Sequence, residues 1–349
     1  TAGFPHCALI YDRGQRTAAD LAPYIAEMVN GTPRAWLFDA FLFLMSQTPS
    51  GRSTTQGATR QADWQYHLDR WFGADRDLAA LDAATADAAK ILGAPPQRRR
   101  IMLSIPHPDH SVEDFGDVDG DGRSENLSTE TGLDTVLAWY VGQARQRFEA
   151  VGFAHLELWG FYWMHETIPP ADEGLTRAAA KAVHDAGYAL LWIPWFKAEG
   201  WDRWQAVGID VAIMQPNYAF VSLHEGRIRR DRLRLNANLA QTHGMGVEVE
   251  LPMACNDPAA AFYLRRYLAA GAAERYGYQQ AATAYYLGRD NLERLCMSNE
   301  TWQRDLYTAL ATYVHGGTVP DPDPICAWGD RGQELPRLQD GDLQQPTAT

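Results

Sequence analysis

Lysine is almost missing from this chain: only Lys90, Lys181 and Lys197 occur, and arginine carries the rest of the positive charge. We attribute that bias to codon usage and give it no mechanistic weight. Basic charge is short as well, with a formal balance of −13. Nucleic-acid binding needs a basic face for the phosphates, so nucleic acid is excluded as a partner. No apolar run approaches the roughly 18 residues of a membrane span. Four cysteines (Cys7, Cys255, Cys296 and Cys326) show neither a CxxC pair nor zinc spacing. Cys7 falls in an apolar run and reads as a small hydrophobe, and Cys296 could pair with Cys326 if the chain is exported. The first residue is Thr1 rather than Met. The expectation drawn from it is a removed leader or neighbouring segment, hence a secreted or periplasmic protein.

Three catalytic signatures are also missing. The first apolar run leads into "YDRGQRTAAD", which has one glycine and no dinucleotide-binding turn. No G-x-S-x-G occurs for a serine nucleophile. "FPHCALIYD" holds one histidine, not the His-x-His of barrel metallohydrolases. By contrast, aromatics are abundant, with 12 Trp, 15 Tyr and 12 Phe. Most suit core packing, and a share of them suits a cleft, where an indole stacks on the apolar face of a sugar ring.

Short apolar runs alternate eight times with longer amphipathic stretches over 349 residues. The runs at 6–12, 34–44, 99–108, 153–163, 188–196, 211–220, 246–253 and 281–288 read as strands, being rich in β-branched and aromatic residues. Helical patterns cover Thr17–Val29, Trp64–Leu92, Leu133–Ala150, Glu173–Ala186, Trp201–Ala206, Gly226–His243, Pro258–Tyr276 and Thr301–Val314. Asp257–Pro258 is a helix-start pair, and Gly31, Gly152 and Gly187 fall just past expected helix ends. Such alternation implies a parallel sheet, and eight units imply closure into a single (β/α)₈ TIM barrel over residues 1–317. A doubly wound open sheet is the alternative. The remainder, 318–349, is rich in Pro, Asp and Gln and reads as an irregular tail or linker.

Barrel enzymes place their chemistry at the carboxyl ends of the strands. There the eight runs offer Asp12 and Arg13, Asp39 and Gln47, His107 and Asp109, then Trp163, His165 and Glu166. Trp192, Trp195 and Lys197 follow, then Gln215, Asn217 and Tyr218, then Glu248 and Glu250, and finally Tyr285 and Tyr286. Glycosidic bond cleavage needs two carboxyl groups flanking one bond, one protonated and one ionised. The fourth and seventh strands face each other across a barrel mouth, so Glu166 and a glutamate of "VEVEL" form the natural pair. Glu248 and Glu250 share one face because the side-chain period of a strand is two. Glu250, nearer the carboxyl end, is the expected nucleophile, with Glu248 one layer lower. Glu157 is a further carboxylate in need of a partner. Glu166 follows "GFYWMH", and apolar surroundings raise a carboxyl's proton affinity, as a general acid requires. The bland alternative is that Glu166 caps a helix or pairs with Arg177.

"DVDGDGRSENLS" spaces Asp117, Asp119 and Asp121 as in an EF-hand loop, with Ser128 where the closing bidentate glutamate belongs. Structural calcium is therefore one reading of that loop, and a polar rim with tight glycine turns is the other; no cofactor is required. "PHPDH" at 106–110 is metal-like in composition, yet His107 alone suits a hydrogen-bonded substrate contact.

"GFYWMHE" after the fourth strand, "DVAIMQPNY" on the sixth and "GVEVELP" on the seventh resemble a family of bacterial barrel proteins known only as a domain of unknown function. "ALIYDR" and "DAFLFL" extend the likeness over about residues 6–315. More broadly, the layout resembles retaining (β/α)₈ glycoside hydrolases, which implies Glu166 as acid/base and Glu250 as nucleophile. Many of those enzymes have Asn before the acid/base; here His165 stands in that place. From the strand-end positions, a carbohydrate substrate is expected to be held by Asp39, His107, His165, Gln215, Asn217 and Glu248, with Trp163, Trp192, Trp195 and Tyr218 as stacking platforms. The rival expectation is a barrel that binds a glycan without cleaving it, as a surface or adhesion module.

Overall fold

The computed structural model describes residues 2–12, 14–73, 76–220, 227–251 and 258–322. Eight parallel strands close into a barrel: β1 (His6–Tyr11), β4 (Ala40–Leu44), β5 (Arg99–Ile105), β6 (Leu156–Trp163), β7 (Ala189–Trp192), β8 (Val211–Met214), β9 (Gly246–Glu250) and β10 (Thr283–Tyr286). Each pairs with its neighbour in sequence, and β1 closes the ring on β10 with His6 opposite Thr283. The (β/α)₈ barrel expected from the strand and helix alternation is thus the fold.

The period of two divides each strand between two cores. Cys7, Leu9, Leu42, Met102, Tyr162, Leu191 and Ile213 fill the barrel interior. Ile10, Phe43, Leu103, Trp163, Trp192, Val247 and Val249 point outward and pack beneath the helices. Burial of so many large aliphatic and aromatic side chains, at about 1.5–3 kcal/mol each, is the main stabilising term. Neighbouring strands approach too closely for a side chain at Gly246, where a Cβ would lie 1.9 Å from the carbonyl oxygen of Ala282.

Several elements differ from expectation. The helix that follows β1 is α1 (Ala18–Ile25), capped by a Thr17–Asp20 capping box. It stops at Ile25 rather than Val29, because Ala26–Val29 (β2) turns back to pair antiparallel with Thr32–Trp36 (β3). Asn30 and Gly31 both hold positive φ, the conformation a two-residue hairpin turn demands. The run at 34–44 is therefore two strands, β3 in the hairpin and β4 in the barrel. The long helix expected over Trp64–Leu92 is α2 (Gln61–Phe72) and α3 (Asp77–Leu92), divided at Gly73. Next come α4 (Glu130–Val151) and α5 (Glu173–Asp185), while the Trp201–Ala206 stretch forms only a short 3₁₀ turn at Trp204–Val207. The chain continues with α6 (Arg227–Thr242), α7 (Pro258–Gly271), a short α8 (Asn291–Met297) after β10, and α9 (Thr301–Val314), which matches its expected bounds. The start of the tail packs on the barrel: Val319 is buried and Asp321 pairs with Arg266 at 3.5 Å. Arg13, Asp257 and the Cys296–Cys326 pairing fall wholly or partly outside the described residues, as does the tail from 323 onward.

Candidate active site

At the carboxyl ends of the strands lies a pocket of about 260 Å³. Its wall is made by inward-facing residues and the first loop residues beyond them: Tyr11, Leu44, Tyr162, Met164, Glu166, Ile193, Gln215, Asn217, Phe220, Glu248 and Tyr286. The third residue past β6 is Glu166, and strand β9 supplies Glu248 from the opposite side.

One continuous hydrogen-bond chain joins the two sides. Gln215, just beyond β8, donates from Nε2 to Glu166 Oε1 at 2.9 Å and to the carbonyl of Ile193 at 2.9 Å. Its own Oε1 accepts from Asn217 Nδ2 at 3.2 Å. Asn217 then donates its backbone N–H to Glu250 Oε1 at 2.9 Å. The other Glu250 oxygen accepts from the hydroxyl of Tyr267, on α7, which in turn accepts from the backbone N–H of Tyr218 at 3.0 Å. Asn217 holds a left-handed backbone (φ 50°), a conformation asparagine tolerates better than most residues and one often found at functional sites.

The three carboxyls differ in what surrounds them. Burial pushes the Glu166 carboxyl above its ordinary range, against the opposing donation from Gln215. Burial also raises Glu250, to about 7, although Tyr267, the Asn217 and Ala219 backbones and Arg232 all favour its charged form. Glu248 is raised well above 4.5 by burial first, then by repulsion from Glu250 and Glu166. Of the two glutamates on β9, Glu250 thus has the donors that sustain a charge, and Glu248 is the one that keeps a proton.

Of the residues expected at the site, Glu166, Gln215, Asn217 and Glu248 line the pocket, together with Tyr286. Glu250 is fully enclosed behind Asn217 rather than in the wall. Trp195 is half-buried beyond β7. Trp163 and Trp192 correct the expectation of stacking platforms: both are fully buried on the outward face of their strands. In a strand, odd and even residues face opposite sides, so neither can offer a ring to the barrel mouth. Tyr218 is likewise buried, edge-on to Tyr263 and Tyr267. Asp39 is a second correction. It precedes β4 and so lies at the amino-terminal end of the barrel, where it accepts from the backbone of His6 at 3.2 Å and from Gln97 at 3.3 Å. Burial there raises its carboxyl. Asp12 is taken by Arg70, Glu157 by Arg100 at 3.0 Å, and Arg177 by Glu173 at 2.9 Å, so Glu166 does not pair with Arg177. His107 and His165 meet each other beside the pocket, at 4.4 Å between ring centres.

In the acidic loop, oxygens of Asp117, Asp119 and Glu125 lie within 4.8 Å of one another. Asp121, expected with them, instead accepts from the backbone of Arg123 at 2.8 Å. Asp117 accepts from Gly120 and Gly122 at 2.7 and 2.9 Å, the tight-turn pattern of the polar-rim reading.

Sequence reading missed Tyr267, Tyr11 and Asp172. The alternation that places Leu9 inside the barrel also places Tyr11 there, so that signal was present. Tyr267 and Asp172 are brought in by helix packing, for which the sequence offers no local sign.

No curated protein matches this chain. Among solved structures, an endoglucanase from Pseudomonas stutzeri is similar at a TM-score of 0.41 and 15% identity, over 90% of this chain and 97% of that one. An intracellular xylanase from Thermoanaerobacterium saccharolyticum follows at 0.40 and 11%, over 80% and 84%. A tryptophan synthase α-subunit from Pyrococcus furiosus follows at 0.37 and 9%, over 89% and 97%. Barrels of one architecture host unrelated chemistries, and likeness of this order decides nothing about activity. The family described as "Domain of unknown function (DUF4855)" matches residues 7–312, and the chain belongs to that family.

Proposed function

We propose that this protein is a glycoside hydrolase that cleaves a glycosidic bond in an oligo- or polysaccharide by a retaining double displacement. The observation that carries the reading is that carboxyls from two facing strands, Glu166 and Glu248, line one pocket, with Glu250 directly behind its wall and tied to Glu166 by the hydrogen-bond chain through Gln215 and Asn217. Glu166 has the raised proton affinity of a general acid and protonates the leaving oxygen. Glu250, oriented through both oxygens, attacks the anomeric carbon once Asn217, which stands between it and the pocket, moves aside. Glu166, now ionised, takes a proton from water, which releases the sugar from Glu250 with its anomeric configuration kept. Beneath them Glu248 stays protonated, so that only one negative charge sits on β9. Tyr11, Tyr162 and Tyr286 supply aromatic wall and hydroxyls for the sugar.

The test is hydrolysis of a panel of aryl glycosides and oligosaccharides by the wild-type chain, Glu166→Gln, Glu248→Ala and Glu250→Ala. Glu166→Gln is expected to lower kcat about 10²–10⁴-fold while substrate binding persists. Azide is expected to rescue Glu250→Ala as a glycosyl azide. Rescue of Glu248→Ala instead would move the nucleophile to the pocket wall. Glycan binding by the wild type without turnover on any substrate would overturn the enzyme in favour of a binding barrel.

A further inference from the structure

Beside the pocket, three side chains from separate segments converge on one point. His107 lies two residues beyond β5, with its backbone N–H donated to the carbonyl of Thr54 at 2.8 Å. His165 lies two residues beyond β6, its carbonyl held by Trp192 Nε1 at 2.8 Å. Asp172 precedes α5 in the N-cap position, where an aspartate ordinarily accepts from the helix's first free N–H groups. Here its side chain makes no cap hydrogen bond and turns to the two imidazoles instead.

We infer that His107, His165 and Asp172 form a binding site for a divalent transition-metal ion of the zinc class at the exit of β6, one residue from Glu166. Distances support it first. Asp172 Oδ2 is 3.5 Å from His107 Nε2 and 3.2 Å from His165 Nδ1. Ligand atoms about 2.0–2.1 Å from a tetrahedral zinc stand about 3.3–3.4 Å apart, so both approaches fit edges of that polyhedron. As hydrogen bonds they fail: both nitrogens of His107 and Nδ1 of His165 are buried without a hydrogen-bond partner among the described residues. Of these, His107 Nε2 and His165 Nδ1 both face Asp172 Oδ2, and buried polar atoms left unsatisfied by the protein mark a place for a ligand.

The donor set narrows the ion. Two imidazoles and one carboxylate suit zinc, iron or manganese, and imidazole argues against calcium and magnesium, which take oxygen ligands. The ring of Trp163 lies 5.6 Å from that of His107 and walls the site, which gives this outward-facing indole a use other than sugar stacking. A bound ion would tie the exits of β5 and β6 to the start of α5, and so fix the backbone that carries Glu166. The site is separate from the acidic loop, whose ligands are all oxygen.

The experiment uses the full chain, stripped with a chelator and dialysed, then titrated with zinc by calorimetry and with cobalt(II) by visible absorption. One equivalent is expected to bind, with the ligand-field bands of a four-coordinate cobalt centre and a raised melting temperature. Asp172→Asn, close to isosteric, is expected to weaken binding at least about 100-fold. Asp172→His, which restores a ligand, is expected to regain cobalt binding with shifted bands, and Asp119→Asn to bind as wild type. Absence of saturable uptake by the wild-type chain would overturn the site, as would equal uptake by Asp172→Asn or loss of uptake in Asp119→Asn. Each readout is independent of glycoside turnover, so failure of the proposed hydrolase and failure of the metal site are distinguishable.

Discussion

Replacing Glu250 with Gln tests whether this carboxyl binds a proton in the folded barrel. Its proton affinity is raised from 4.5 to about 7 on folding, chiefly by burial. Between those values the folded state holds more protons than the unfolded one, so stability falls as pH rises. The contribution is fully present below pH 4.5 and lost above about 7. A shift of about 2.5 pH units at about 1.4 kcal/mol each amounts to about 3–4 kcal/mol, of which about 3 kcal/mol is lost between pH 4.5 and 7.5. Other groups also titrate over this range, His6 and His67 among them, both lowered by burial to about 4. The useful quantity is therefore the difference between wild type and Glu250→Gln. Removing the charge also relieves Glu248, whose shift Glu250 helps to cause, and this adds in the same direction. Urea unfolding followed by tryptophan fluorescence at pH 4.5, 5.5, 6.5 and 7.5 gives the free energies by linear extrapolation. Wild type is expected to lose about 3 kcal/mol relative to the variant across that window. Parallel curves would refute the reading, because they would mean that Glu250 titrates alike in both states.

Two further outcomes follow from the same structure. Tyr267→Phe removes a donor that favours ionised Glu250; it is expected to move the acid limb of the kcat/KM profile to higher pH and to cost about 1–3 kcal/mol in urea unfolding. Arg16→Met strands Asp77 and Glu293, which the fully buried guanidinium approaches at 3.0 and 3.6 Å; a loss of about 3–5 kcal/mol is expected, read as a fall in melting temperature.

Much of the barrel was legible because its signals are local and repeated. Leu9, Leu42 and Ile213 recur on the inward parity of their strands, and the bounds of Thr301–Val314 follow from pattern alone. The β2–β3 hairpin was legible too, in Asn30–Gly31, but the apolar periodicity of Thr17–Val29 masked it. Glu166, Gln215, Asn217 and Glu248 could be placed at the mouth from strand-end position. Trp163 and Trp192 show where that reasoning fails. Composition marks an indole as a sugar platform, whereas strand parity, which turns on a single residue, buries it under helices.

The amino-acid sequence by itself determined the eightfold alternation of strands and helices, the parity that divides the two cores, and the end of the barrel at which carboxylates gather. Those properties depend on residues close together along the chain. Tertiary structure alone decided which of Glu248 and Glu250 carries the donors, since Tyr267 reaches Glu250 from α7 and Asn217 from beyond β8. It alone brought Asp172 to His107 and His165. Proton affinity and metal affinity depend on what surrounds a group within a few ångströms, and for these residues closing the barrel brings in those neighbours from distant segments of the chain.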